Sequence, residues 1–270
     1  MIAAVTGIMA YAGFVAFKGP DNNGDKEKLI LKAVLTMMQQ VHFKNPPLDD
    51  NFSHRLYDTY MDRLDGMKRF LIMEDLDLLD DYQDSLDDQI RTDDLKFFEI
   101  SYKLINNSIE KTRKWYPELL SQPFDFTIKD SIETDGEKRS YAKDDAELKE
   151  FCRSYLKYET LTRLSDKIKE QETATEVPEG GKKSIAELEA DARKDVLEVF
   201  DEWYERMDKV RRSDRFEMYV NSITNVYDPH SDYFNPKEKE DFDINMSGRL
   251  EGIGARLQMD GDFTKVVAII

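Results

Sequence analysis

The sequence predicts a mostly α protein, a multi-helix N-terminal domain followed by the opening strands of a β-rich unit. Three observations predict it. Apolar residues recur at helical spacing through most of the chain. Only 12 glycines and 8 prolines interrupt 270 residues. The last stretch, Val266-Val267-Ala268-Ile269-Ile270, is an apolar β-branched run behind Asp260-Gly261, a two-residue hairpin signal.

The elements follow in chain order. Residues 1–17 carry no charge, and Lys18 is the first charged residue. Such a run sits at the short end of what spans a bilayer. It holds Ala10-Tyr11-Ala12, a pattern that ends secretory signals, although no basic segment precedes it. Export, or anchoring to an inner membrane, is the expectation, and a buried apolar helix is the alternative. Residues 19–25 read as a spacer, so 1–24 form a signal or anchor plus linker.

Ile30, Ala33, Val34, Met37, Met38 and Val41 mark one face of a helix that Pro46-Pro47 closes. Phe52, Leu56, Tyr60 and Leu64 mark a second helix. Leu79, Tyr82, Leu86 and Ile90 mark a third, and Phe98, Ile105, Ile109 and Tyr116 a fourth that Pro117 ends. Phe124–Ile128 is a short strand candidate. Leu148, Phe151, Cys152 and Tyr155 begin a helix running toward Ile168, and 171–183 read as a loop. Ile185, Leu188, Ala192, Val196, Val199, Trp203 and Val210 mark a long helix. Ser213 is the expected N-cap of a last helix carrying Phe216, Val220 and Ile223. These helices place the helical domain at about 25–240 and leave 241–270 as the start of the β unit, which is expected to be incomplete.

Composition narrows the function. Apolar residues at 40% support a sizeable core, but 39 basic against 56 acidic residues give −17. That balance argues against a nucleic-acid partner, which requires a basic footprint. One cysteine excludes an internal disulfide, and with three scattered histidines it leaves too few ligands for a Cys/His zinc site. No metal and no cofactor is expected. The acidic stretch 74–94 lacks the central glycine of a Ca²⁺ loop and reads as a solvated helix face, with Ca²⁺ binding as a minor alternative. Cys152 beside Phe151 reads as a buried structural thiol, and His42 and His54 receive no role. Asp228–Phe234 reads as a junction turn packed by Tyr233 and Phe234; its adjacent His230 and Ser231 face different ways. Leu250-Glu251-Gly252-Ile253-Gly254-Ala255 is the best candidate site. Glycines there let backbone N–H groups converge as a nest for a peptide's terminal carboxylate, and the following strand can pair with the peptide.

Five ordered segments carry a family resemblance. They are Leu64-Asp65 with Phe70-Leu71 and Asp75; Gln122 through Thr127; Ala142 through Leu148; Tyr227 through Pro236; and Met246-Ser247 with Leu250 through Ala255. Together, over about 27–270, they resemble the N-terminal part of the tail-specific (C-terminal processing) serine peptidases of family S41. Residues 66–69 depart from a pattern that more often holds a proline turn.

The resemblance implies a helical domain, then a PDZ domain of which 241–270 is the beginning, then a protease domain with a serine nucleophile and a lysine base. It implies protein substrates with apolar C-termini, a lipoprotein-type adaptor on the helical domain, and a periplasmic or exported location. Catalytic residues are expected outside this chain, so the fragment alone is expected to be inactive. Substrate C-terminus binding transfers onto Leu250, Gly252, Ile253, Gly254 and Ala255. The rival reading is a non-catalytic helical interaction or adaptor module.

Overall fold

The computed structural model describes residues 23–174, 181–247, 254–260 and 263–269. Among them the order is α1 (Asn23–Val41), α2 (Asp50–Asp65), α3 (Met73–Asp80), α4 (Leu86–Arg91), α5 (Lys96–Arg113) and α6 (Trp115–Leu120). Then come α7 (Asp145–Thr173), α8 (Ile185–Asp208), α9 (Arg212–Tyr227), α10 (Pro236–Ser247), β1 (Ala255–Asp260) and β2 (Phe263–Ile269). The protein is mostly α. Residues 1–22, with the expected signal or anchor, lie outside the described residues. Among the described residues no helix is long and apolar enough to cross a membrane.

The core is aromatic and forms where α2, α5 and α9 meet. Tyr60, Phe97, Phe98 and Tyr219 are fully buried there. Phe98 stacks on Tyr219 at 5.6 Å and meets Phe216 edge-on at 5.4 Å. Such pairs add to the burial of the rings themselves. The Tyr60 and Ser101 hydroxyls bond at 2.9 Å, so that buried polar pair is satisfied. Packed together, α7 and α8 carry Leu164, Leu188 and Ala192 in a smaller cluster.

Local chemistry sets most boundaries. Asp49 accepts the Phe52 N–H, Asp144 the Glu147 N–H and Ser184 the Glu187 N–H, each capping a helix. Glu187 returns the bond to the Ser184 N–H at 2.8 Å. One ion triad ties α1 to the rest. Arg212 donates to both Glu27 oxygens, at 2.8 and 2.6 Å, and to Glu99. Arg212→Met is expected to cost about 2 kcal/mol, because the buried Glu27 carboxylate loses its donors at a site where Arg212 itself is partly open to water. Adding Glu27→Gln should restore part of that loss in urea unfolding.

The structure corrects several expectations. In α1, Ile30, Val34 and Met38 of the expected face pack against the core, but the buried residues are Glu27, Leu31 and Leu35, while Met37 and Val41 are exposed; the buried face overlaps the one the apolar pattern marks and is turned toward Leu31 and Leu35. The third helix is two, α3 and α4, separated by i→i+3 turns at Tyr82, Gln83 and Ser85. The break lets α2 cap α4: Ser53 Oγ accepts the Asp87 N–H and donates to Asp87 Oδ1, both at 2.8 Å. Pro117 does not end its helix. The break comes at Lys114, and Pro117 lies in the first turn of α6, where no N–H is needed.

No strand forms at Phe124–Ile128. The Phe124 N–H goes to Glu189, Asp125 accepts the Thr127 N–H, and Lys157 donates to the Ile128 carbonyl. Side chains meet those backbone groups, so no partner strand is needed. Arg211, not Ser213, is the N-cap of α9, because Asp214 reaches back to the Arg211 N–H at 2.9 Å. No expectation covered α10, and its amphipathic signal is weak: none of its residues is buried.

Candidate functional site

Two of the five candidate residues fall within the described region. Gly254 has φ +67° and Ala255 opens β1. Leu250, Gly252 and Ile253 lie outside it. Positive φ is costly for a residue with Cβ, so glycine at 254 suits a sharp entrance to the strand. From there β1 pairs antiparallel with β2, Ala255 opposite Ile269 and Asp260 opposite Phe263. The two residues between the strands are therefore 261 and 262, one place later than the Asp260-Gly261 signal. Arg256 faces Ala268 but Leu257 faces Val266, so Val267 is an extra residue that bulges β2. Among the described residues the sheet has only these two strands, which leaves the outer edge of β1 open to another strand. Chemically, this arrangement can add an extended peptide beside β1.

The turn ahead of α10 is held by α9. Asn221 accepts the Tyr233 N–H at 2.6 Å and donates to its carbonyl, and Asn225 donates to the Ser231 carbonyl. Tyr233 packs on the core, while Phe234 is half exposed and stacks on Phe242 of α10. Ser231 meets His42 rather than its neighbour His230: Oγ lies 3.2 Å from Nε2. The other ring nitrogen of His42 faces the Lys44 carbonyl at 2.6 Å, not a carboxylate. The contact straps the turn to the end of α1, without the acid that orients a catalytic base.

The acidic stretch is more structural than a solvated face. Asp87 is buried and pairs with Arg91 at 3.0 Å. Asp80 accepts the Tyr57 hydroxyl at 2.5 Å, and Asp84 lies 2.6 Å from His54. Among the described residues no cluster of His, Cys, Asp or Glu is placed to hold a metal ion. Cys152 is packed against the core, and burial pushes its thiol up to about 12. A thiol held protonated at neutral pH is a poor nucleophile.

One polar node escaped the sequence reading. Asp65, in the Leu64-Asp65 segment, is buried and accepts N–H bonds from Arg69, Phe70 and Leu71 at 2.8–3.1 Å. Burial pushes its carboxyl up to about 6 against the pull of those three donors. The loop they define bounds an open cleft of about 630 Å³ with Asp62, Asp135, Gly136 and Trp203. The signal for it was the Leu-Asp pair at a helix end, where a carboxylate can gather the next turn's N–H groups.

Comparison with known proteins agrees with these motifs. The model of the tail-specific protease N-terminal domain matches residues 34–237, which run from within α1 to the first residues of α10. The tail-specific protease of Haemophilus influenzae is 24% identical over 248 residues, or 91% of this chain. Those residues cover 33% of the relative, so the chain spans about a third of its length. The extent of the domain match and the ordered motifs place this chain in the tail-specific protease N-terminal domain family.

Proposed function

We propose that this chain is the N-terminal part of an exported C-terminal processing serine endopeptidase. In this reading residues 241–270 begin a PDZ domain that takes apolar substrate C-termini. A serine–lysine pair beyond this chain hydrolyses the peptide bond. The observation that carries the reading is the match over residues 34–237, followed within twenty residues by a left-handed Gly254 at the head of an open-edged strand.

The backbone N–H groups of Gly252, Ile253 and Gly254 would hold the terminal carboxylate, flanked by Leu250 and Ala255. The outer edge of β1 would pair with the residues before it. The helical domain would offer its surface to a lipoprotein-type adaptor. In the cell the protein would face the periplasm.

Gly254→Val in the parent protein is expected to lower affinity for a free-acid peptide at least tenfold, because Val resists φ +67° and its side chain enters the nest. The preference for the free acid over the amidated peptide should vanish with it. Competition fluorescence polarisation checks both; an unchanged preference would remove the assignment. An immunoblot of source cells with an antibody to 25–240 tests the larger claim. A product well above 31.6 kDa is expected, and a band at that mass would favour the non-catalytic module instead.

A further inference from the structure

Arg69 is a part-buried guanidinium without a counter-charge. Its Nε is fully buried and makes no hydrogen bond, and among the described residues Arg69 forms no ion pair. The guanidinium lies over the Tyr155 ring of α7 at 4.2 Å. The charges nearby do not neutralise it. Arg139 repels it, and turns its own guanidinium to the Met67 and Lys68 carbonyls at 2.6 and 3.1 Å. Asp65 serves three backbone N–H groups and favours the charge of Arg139. Glu159 faces the Tyr155 hydroxyl and is paired with Arg163 at 2.6 Å. A cation taken from water and left unpaired is costly, and an incoming anion removes that cost.

Two hollows meet at this residue. Arg69, Phe70 and Trp203 border both the open cleft of about 630 Å³ and a narrow slot of about 30 Å³ between α7 and α8. The slot is lined mainly by aromatic rings, among them Phe151, Tyr155, Phe200 and Tyr204. It has room for roughly two oxygen-sized atoms. The cleft has the volume of a small-ligand site, on the order of 300–1,000 Å³. Its other cation, Arg63, is bonded to Ser222 and Asn225. Asp62 and Glu137 are exposed along it, and Asp135 is paired with Lys138 at 3.0 Å. A dianion such as sulfate meets repulsion from those carboxylates. One negative charge matches the one unpaired cation, and an apolar body can lie on Trp203 and Phe70, whose rings stack at 5.7 Å.

We propose that Arg69 anchors a binding site for an organic monocarboxylate. The carboxylate enters the slot against the guanidinium, and the apolar body rests in the cleft on Trp203. The fork of N–H groups on a guanidinium suits the two oxygens of a carboxylate, and such charge-assisted bonds are the strong ones. The carboxylates along the cleft set the selectivity, because they penalise any ligand that carries a second negative charge.

The test uses the whole chain with Trp115→Phe, which leaves Trp203 as the sole tryptophan. Trp115 packs on a separate cluster of Ile72, Ala142 and Leu148. Phenylacetate is the probe, with phenylacetamide as its uncharged match and sulfate as the dianion. Phenylacetate should change the Trp203 emission saturably, and the amide and sulfate should bind at least about tenfold more weakly. A blocked dipeptide ending in a free phenylalanine carboxylate tests a chain end as the source of the same group; the tighter of the two acids identifies the source. Arg69→Met should lower the affinity for phenylacetate at least about tenfold. Its urea midpoint should hold or rise, because methionine keeps the apolar stem and removes an unpaired charge. Asp62→Asn with Glu137→Gln, both at exposed sites, should tighten binding about threefold. No saturable change at Trp203, equal binding of acid and amide, wild-type affinity in Arg69→Met, or no gain in the double variant would each overturn the proposal. So would a clear fall in the Arg69→Met midpoint, which would mean that the cation is already satisfied within the fold. Tighter binding of sulfate would overturn it in favour of an inorganic-anion site.

Discussion

Asp65→Ala is expected to lower stability by about 3 kcal/mol, since three backbone N–H groups lose a charged acceptor at once. The loss should be smaller than three separate bonds would suggest, because the buried carboxylate is itself costly to ionise. Asp65→Asn should fall between: its one amide oxygen cannot serve donors that now divide between both carboxylate oxygens.

The pH dependence gives an independent check. Asp65 is raised to about 6 in the fold, above its unfolded value near 4. Between those values the native chain holds a proton that the unfolded chain has released. The resulting stabilisation is full below about pH 4 and is lost as pH rises through 6. The gap between wild type and Asp65→Asn in urea should therefore widen as pH falls from 7 to 5. A gap that narrows would mean that the carboxylate is ionised throughout, with its donors outweighing burial.

Phe98→Ala is expected to be the most damaging core truncation, at about 4 kcal/mol. The ring is fully buried, stacked on Tyr219 and edge-on to Phe216. The Arg212 guanidinium lies 5.0 Å from its centre, so the same ring supports the triad that holds α1. Such a loss should show in thermal unfolding as a large fall in midpoint. Phe234→Ala, at a half-exposed ring against Phe242, should by contrast shift it little. Equal shifts for the two variants would place the stabilising core elsewhere than at the junction of α2, α5 and α9.

Most helices were legible because burial of one face every 3.6 residues leaves a pattern that needs no knowledge of the partner. Phe52, Leu56, Tyr60 and Leu64 mark α2, and the same residues line the core. The ordered motifs from Leu64-Asp65 to Ala255 were legible as a family signature, and the domain match over 34–237 agrees with them. Of the candidate carboxylate loop, the structure describes Gly254 and Ala255; the positive φ at 254 accords with the glycine there but does not identify a ligand.

The cap of α9 and the break at Lys114 are local, but three other misses share a cause: each depended on a contact remote in sequence. Ser53 of α2 caps α4 from 34 residues away, and that bond, not propensity, divides the expected third helix. Glu189 and Lys157 satisfy the backbone around Phe124–Ile128 and remove the need for a strand. Of the face read as core from spacing, Ile30, Val34 and Met38 do pack inward, but Met37 and Val41 do not: α1 is set to bury Leu31 and Leu35 and to place Glu27 on Arg212, 185 residues on.

The sequence by itself determined the mostly α class, the position of most helices and the family, because local periodicity and short motifs are written in neighbouring residues. Only the tertiary structure decided where helices break, which acidic groups are buried and which face of α1 is left open. Those outcomes turn on satisfying buried charges and backbone donors with partners that the chain supplies from a distance.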